Sequence, residues 1–220
     1  LLLFASLPVS ALAATWDIGN GDIIVNAGSG GQTVTQGGGA AVEDNAPVIK
    51  GSSTENTVTI NAEKDQTANV TLSGANIDVS SAGKAAVSTT GEGNVSIELN
   101  GESTLRSGYE HAGLEKNNGG SLTIADEDKN GKLTAEGGKY GAGIGGGDQG
   151  AGSGITITGG EIKATGGQYG AGIGGGKGDG SDITISGGEV NATGGTSGAG
   201  IGGGYNGNGS DITITDGEVN

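Results

Sequence analysis

The sequence has no cysteine and no methionine among its 220 residues, and aromatic side chains are few. Without cysteine the chain forms no disulfide, builds no thiolate metal site and has no thiol nucleophile. No window repeats apolar residues at helical spacing, which argues against amphipathic helices. These absences leave β-structure as the expected architecture and narrow the chemistry to oxygen and amine groups.

Basic residues are also scarce. Lys and Arg number 10 against 25 Asp and Glu, which gives a formal net charge of −15. Nucleic acids and anionic membranes are bound through clustered Lys and Arg. The charge therefore predicts no nucleic-acid partner and a surface that attracts cations.

The first residues predict export. Residues 1–12 form a mainly apolar run, and Ala11-Leu12-Ala13 follows at its end, which matches the h-region and A-x-A cleavage site of a signal peptide. A bilayer span needs about 20 apolar residues, so we expect no membrane insertion. A buried N-terminal strand is the alternative. We interpret residues 1–13 as a truncated signal peptide of a secreted or surface-displayed protein. The sequence stops within a repeat, so we expect a longer chain.

Glycine supplies 52 residues, and their distribution is periodic. The heptapeptide Gly-Ala-Gly-Ile-Gly-Gly-Gly occurs at residues 141–147, 170–176 and 198–204, so its copies lie 29 and 28 residues apart. A strict period of this length indicates stacked supersecondary units, and a solenoid is the expected result. Gly-Gly pairs between apolar segments permit corners with positive φ.

Three short segments recur in each unit, and each alternates apolar and polar residues like a strand with one buried face. One begins at Ile155, one at Glu161, and the third is the Ala-Gly-Ile part of the heptapeptide. Three strands per coil predict an all-β parallel β-helix, with about 28 residues per coil. The usual hand of parallel crossovers predicts a right-handed coil. An antiparallel sandwich is the alternative, which identical glycine corners at one period disfavour.

Equivalent residues of stacked coils should form columns about 4.8 Å apart. The aligned opening positions are Val70, Val95, Leu122, Ile155, Ile183 and Ile212. The expected inner columns are Ile144 with Ile173 and Ile201, and Ile157 with Ile185 and Ile214. Residues 70–220 are thus predicted to be β-helix repeats. Residues 14–69 are less regular and predict an N-terminal cap with imperfect coils, in which Trp16 covers the end of the core.

Several segments resemble exported β-helix proteins of Gram-positive, gut-type bacteria. They are the start Trp16-Asp-Ile-Gly-Asn-Gly21-Asp-Ile-Ile, the segment Ile97-Glu-Leu-Asn-Gly101 and the tandem heptapeptides. This group is similar to the carbohydrate-binding domain family of clostridia. The resemblance implies a β-helix that binds plant polysaccharide with calcium. It covers most of the mature chain, and its motifs are more specific to architecture than to ligand.

Tyrosines provide the candidate ligand-binding residues. Tyr140 and Tyr169 occupy matching positions in successive coils, and Tyr109 lies nearby one coil earlier. Aromatic faces are natural platforms for sugar rings, so these three residues are the predicted polysaccharide site. Structural stacking of the rings is the alternative interpretation.

Two acidic features are candidate calcium sites. Asp126, Asp128 and Asn130, followed by Gly131, fit the start of a D-x-[DN]-x-[DN]-G calcium loop, but the glutamate expected at position 12 is missing. A turn on Asn130-Gly131 is the alternative. Glu161 and Glu189 stack in successive coils, where either a cation bridges them or their side chains splay into solvent. We therefore predict no required cofactor and name calcium as the candidate ion.

The sequence offers little for catalysis. Polysaccharide lyases and hydrolases need a basic residue beside calcium or paired acids in a cleft. The one histidine, His111, and the one arginine, Arg106, lie in the same coil without an adjacent acid trio. We therefore expect a non-catalytic β-helix that binds extracellular polysaccharide in adhesion. The alternatives are a structural stalk of a larger surface protein and a calcium-dependent polysaccharide lyase or hydrolase.

Overall fold

The computed structural model describes residues 13–220, so the signal-peptide prediction, apart from Ala13, lies outside the described residues. Within that range one short 3-10 helix, Ile18–Asn20, accompanies 20 strands. The first ten are β1 (Thr15–Asp17), β2 (Ile23–Gly28), β3 (Gly31–Gln36), β4 (Val42–Glu43), β5 (Val48–Ser53), β6 (Val58–Ala62), β7 (Thr67–Asp78), β8 (Val87–Gly91), β9 (Asn94–Asn100) and β10 (Glu102–Arg106). The others are β11 (Leu114–Lys116), β12 (Leu122–Ala125), β13 (Lys132–Glu136), β14 (Ile144–Gly145), β15 (Gly152–Ile157), β16 (Glu161–Thr165), β17 (Ile173–Gly174), β18 (Gly180–Thr193), β19 (Ile201–Gly202) and β20 (Gly209–Val219).

These strands wind into a parallel β-helix of about seven turns with about 29 residues per coil, which confirms the predicted fold class. The first face is a parallel stack of β2, β6, β8, β11, β14, β17 and β19. The second and third faces belong to one sheet, because long strands run around the corner between them. For example, β18 pairs with β15 through its first half and with β16 through its second. In residues 13–220 no helix is long and apolar enough to cross a membrane.

Inward-facing apolar residues form the columns that the repeat predicts. The register partners are Ile144, Ile173 and Ile201 in the first face, and Ile157, Ile185 and Ile214 in the second. Members in the interior coils are fully buried, whereas Ile214 in the last coil is 50% exposed. Burying each isoleucine contributes about 1.5–3 kcal/mol, so these columns are the main source of stability.

One sequence alignment is wrong by two residues. Val70 was expected opposite Val95, but the structure pairs Val70 with Ile97 and Ala68 with Val95. Because side chains alternate with a period of 2, a shift of two residues keeps every apolar side chain inward. The alternation therefore cannot detect such an error. From Val95 onward the alignment is correct, since Val95 pairs with Leu122.

At its N-terminal end, the first face finishes in antiparallel strands. β3 pairs antiparallel with β2, and β4 pairs antiparallel with β3. Trp16 packs against the core, half-buried, and its Nε1 donates to Asp44 Oδ2 at 2.8 Å. The predicted boundary between residues 69 and 70 lies inside β7, and the strands on both sides of it belong to the same two sheets.

The glycines of the heptapeptide are required by the close approach of the coils. A Cβ atom on Gly145 would lie 2.0 Å from the carbonyl oxygen of Gly174 in the next coil, and Gly145 has φ of 133°. A Cβ atom on Gly143 would lie 2.5 Å from the amide nitrogen of Thr165. The heptapeptide is therefore a scaffold element, and its backbone packs directly on the backbone of its neighbours.

Candidate ligand-binding surface

All four tyrosines of the sequence lie in one row along the solenoid, which we call the tyrosine ladder: Tyr109, Tyr140, Tyr169 and Tyr205. The central rings of Tyr140 and Tyr169 are stacked, with centroids 5.2 Å apart and planes 19° apart. The two end rings are edge-on to their neighbours. Tyr109 lies 4.9 Å from Tyr140 and Tyr205 lies 5.3 Å from Tyr169. The structure thus brings the three predicted tyrosines together and adds a fourth.

The backbone registers explain the two ring geometries. The Tyr140 amide donates to the carbonyl of Tyr109, as the Tyr169 amide donates to that of Lys139. Tyr109 is therefore equivalent to Lys139, one position before the column that holds Tyr140 and Tyr169. Rings that share a column stack face to face at the coil spacing, whereas a ring from a neighbouring column meets them edge-on.

Tyr205 enters the ladder from the loop that follows the heptapeptide. Its amide donates to the carbonyl of Tyr169 at 2.8 Å, as the Asp148 amide donates to the carbonyl of Glu110. Tyr205 therefore matches Asp148, and its ring lies edge-on to that of Tyr169. Tyr205 was not among the predicted site residues, because in the sequence it follows the heptapeptide whereas Tyr140 and Tyr169 precede it. The sequence could have indicated Tyr205, because it directly follows the heptapeptide at the position that holds Asp148 and Lys177 in earlier coils.

Two lysines lie over the ladder. The Lys139 ammonium is 5.4–5.7 Å from the ring centroids of Tyr109, Tyr140 and Tyr169, within the range of cation–π attraction. The Lys177 ammonium lies 4.2 Å from the Tyr140 centroid and 2.6 Å from Asp148 Oδ1. Asp148 compensates the charge of Lys177, so among the described residues Lys139 supplies the unpaired positive charge over the rings on a chain with a net charge of −15.

The ladder also contains a phenol pair. The Tyr109 hydroxyl donates to the Tyr140 hydroxyl at 3.3 Å. This hydrogen bond, together with the nearby Lys139 ammonium, lowers the pKa of the Tyr109 phenol, and the hydrogen bond raises the pKa of Tyr140. The end residues are the accessible ones, since Tyr109 is 52% exposed and Tyr205 is 45% exposed. The surface therefore offers apolar ring area, hydroxyl groups and two ammonium groups.

The predicted calcium residues lie away from the ladder. Asp126, Asn130, Glu161 and Glu189 line one groove of about 510 Å³. Asp128 instead lines a separate depression with Glu98 and Thr71. The register partners Glu161 and Glu189 stack as predicted. The structure thus brings four of the five predicted metal ligands together and separates the fifth.

The donors in this groove are engaged by protein groups. Asp126 Oδ1 accepts a hydrogen bond from the Asn130 amide at 3.1 Å, and Asn130 Oδ1 accepts one from the Gly101 amide at 3.1 Å. Glu161 forms an ion pair with Lys132 at 2.6 Å. Across residues 13–220, no group of three or more His, Cys, Asp or Glu residues is placed to hold a metal ion. Through the Asn130 side chain the loop ties two successive coils together.

A buried polar network lies in the chain between Tyr109 and Tyr140. The carboxylate of Glu115, 8% exposed, accepts hydrogen bonds from His111 Nδ1 at 2.8 Å, Asn117 Nδ2 at 2.7 Å and the Ala112 amide at 3.1 Å. Lys116 is buried beside it, donates to the carbonyl of Asn118, and has a pKa lowered by burial. Since all three donors stabilise one carboxylate, this network holds a corner of the coil in place.

Arg106 belongs to a different part of the surface. Its guanidinium bonds to Glu136 Oε2 at 2.9 Å and lies 3.8 Å from Asp78 Oδ2, on the third face. His111 and Arg106, which share a coil in the sequence, therefore each have carboxylate partners of their own.

Comparison with protein families identifies the repeat. A family model described as Beta helix repeat matches residues 129–148, 155–177 and 183–205. These three segments are similar to that repeat. These matches contain the heptapeptide coils and their ladder residues Tyr140, Tyr169 and Tyr205, so the family match and the solenoid structure agree. No curated protein and no solved structure matches the chain.

Proposed function

We propose that this β-helix is an exported, non-catalytic protein that binds polysaccharide through the tyrosine ladder and serves adhesion at the cell surface. The observation that carries the proposal is the gathering of all four tyrosines into one row, with both end rings about half exposed. Few other exposed side chains of this chain offer apolar area together with a hydrogen-bonding group.

The chemistry of the ladder suits a sugar polymer. A pyranose ring has an apolar C–H face that packs on an aromatic ring, and its hydroxyls exchange hydrogen bonds with phenols. Tyrosine combines a large apolar body with a polar end, which is why it is common at interfaces. Adjacent rings 4.9–5.3 Å apart would contact successive parts of one extended polymer. The resemblance to clostridial carbohydrate-binding proteins and the apolar N-terminal segment support the same proposal.

A binding experiment tests this function. The wild-type chain is applied to a glycan array and pulled down with insoluble polysaccharides, beside the variants Tyr109→Ala and Tyr205→Ala. We expect both variants to lose retention on the polysaccharide that the wild type binds. Thr213→Ala is the matched control, because Thr213 is an exposed residue of β20 on the second face. Retention unchanged in both tyrosine variants would overturn the proposal.

The structural stalk remains a second candidate. It is favoured by the unbroken register from β6 to β19, which makes a stiff, extended body. A stalk would retain no polysaccharide in the same experiment. The third alternative, a lyase or hydrolase, would release reducing sugars from the bound polymer, so a reducing-sugar assay on the same samples distinguishes all three.

Calcium is not part of the proposed binding. We expect the melting temperature of the chain to be the same with added calcium and with a chelator, because the groove carboxylates are bonded within the protein. A calcium-dependent rise in melting temperature would return the groove to consideration as a metal site.

A further inference from the structure

Tyr109 and Tyr140 form a pair of phenols in direct contact. They come from successive coils, their ring centroids are 4.9 Å apart with planes at 89°, and their hydroxyls are hydrogen-bonded at 3.3 Å. This edge-on arrangement brings the hydroxyl-bearing ends of both rings together. Two phenols held in this way are positioned for chemistry between them.

The composition makes these phenols the principal oxidisable groups on the surface. Cysteine thiols and methionine thioethers are the side chains that peroxides commonly oxidise, and this chain has neither. The single indole, Trp16, is half-buried against the core and bonded to Asp44. Tyr109, by contrast, is 52% exposed.

We propose that Tyr109 and Tyr140 are a modification site, at which hydrogen peroxide and a haem peroxidase couple the two rings into a dityrosine cross-link between adjacent coils. Each phenol loses one electron and one proton to the oxidant and becomes a phenoxyl radical. The radicals join through a C–C bond between ring carbons ortho to the hydroxyls, and the two displaced ring hydrogens move to the oxygens. The two electrons and two protons reduce one peroxide to two waters.

The surroundings of the pair favour this reaction. A phenol must lose its proton as it is oxidised. The hydrogen bond to Tyr140 and the Lys139 ammonium both lower the pKa of Tyr109, which eases that loss.

Coupling within the molecule should prevail over coupling between molecules. The fold fixes the two rings beside each other, so their effective concentration far exceeds that of a second copy in dilute solution. The resulting bond would join two coils covalently and raise the melting temperature, because a cross-link restricts the unfolded chain. The cross-link forms whether or not the ladder binds polysaccharide.

Trypsin digestion provides a direct test, because each tyrosine falls on a separate tryptic peptide: 107–116, 140–163, 164–177, and the stretch from residue 178 onward. The full chain is treated in dilute solution with peroxide and a haem peroxidase, followed by dityrosine fluorescence and mass spectrometry of the digest. We expect peptide 107–116 joined to peptide 140–163, with the loss of two hydrogen atoms, on a chain that remains monomeric in denaturing gels.

Phenylalanine variants are the matched controls, since phenylalanine keeps the ring and lacks the hydroxyl. Tyr140→Phe should lower the yield of this cross-link to that of untreated protein, whereas Tyr205→Phe should leave it unchanged. Melting curves of both variants verify that they fold. The proposal is overturned by a link that mainly joins other peptides, by links mainly between copies, or by a yield no higher in folded than in urea-unfolded protein.

Discussion

One register position of the first face holds a glutamate in one coil and glycines in the next two, and the surroundings of each coil explain the difference. Glu115 occupies this position in one coil, and Gly145 and Gly174 occupy it in the next two. The glutamate is accommodated because its carboxylate is enclosed by donors from its own coil and lies against the Cα of Gly147. In the later coils the backbone adopts positive φ and the carbonyl of the neighbouring coil fills the same space.

Replacing the first of these glycines should be costly. Gly145→Ala places a Cβ atom 2.0 Å from the Gly174 oxygen on a backbone with φ of 133°. We expect the free energy of unfolding to fall by about 3 kcal/mol, measured by urea denaturation. Gly30→Ala is the control, because a Cβ atom on Gly30 meets no atom within 4 Å, and its effect should stay below about 1 kcal/mol. Equal losses in the two variants would contradict this explanation.

The Glu115 carboxylate should matter through its hydrogen bonds. Glu115→Gln keeps the shape but replaces one acceptor oxygen with a donor, which then faces another donor in a site 8% exposed. We expect a loss of about 1–3 kcal/mol in unfolding free energy. Glu92→Gln, at an exposed position, should change it by less than about 0.5 kcal/mol. A neutral Glu115→Gln would mean that the network contributes nothing to stability.

At the scale of the strand, one column of register partners on the third face alternates in charge from coil to coil and then continues with like charges. Glu102, Lys132 and Glu161 are register partners on β10, β13 and β16, and the lysine forms an ion pair with Glu161. The column continues with Glu189 and Glu218, which bring like charges side by side. Opposite charges on neighbouring strands stabilise a sheet modestly, and like charges destabilise it.

Restoring the alternation should therefore stabilise the last coils. Glu189→Lys places an ammonium between Glu161 and Glu218, and we expect a gain of about 0.5 kcal/mol in unfolding free energy at low salt. High salt should remove the gain because it screens exposed charges. Glu189→Gln removes only the repulsion, so it measures how much of the effect comes from pairing. A lysine variant no more stable than the glutamine variant would show that pairing adds nothing.

At the scale of the whole molecule, the stack behaves as a row of interchangeable coils. Ile144 and Ile173 are register partners, so residues 144–172 make up one turn of 29 residues. Each coil contacts mainly its two neighbours, so the stability of such an array is roughly a sum of local terms. Removing one whole turn should then leave the remaining contacts in register.

We expect a chain that lacks residues 144–172 to fold with the same β content per residue and to unfold cooperatively at a lower temperature. The control lacks residues 144–171 and is therefore one residue out of register, which turns side chains to the wrong face unless a corner absorbs the misfit. Circular dichroism melts of both chains provide the measurement. If the control is as stable as the in-register deletion, the register does not govern the stack.

Local patterns predicted the coil but not all of its details. The heptapeptide period and the Ile-Thr-Ile alternation gave three strands per coil, the inner isoleucine columns and the Glu161–Glu189 pairing, because a regular solenoid repeats its neighbours. The pattern could not fix the register of Val70, since a shift of two residues preserves alternation. It placed Asp128 with Asp126, although the turn directs them to different depressions.

The sequence by itself determined the architecture, because short segments of alternating apolar residues joined by glycine corners bury their apolar faces by stacking as coils. It also placed Tyr140 and Tyr169 in one column, with Tyr109 nearby. Only the tertiary structure added Tyr205, which enters from a loop outside that column, and only it enclosed Glu115 with His111 and Asn117. These contacts depend on how far each side chain reaches across columns and on how each loop turns, which a repeat period does not encode.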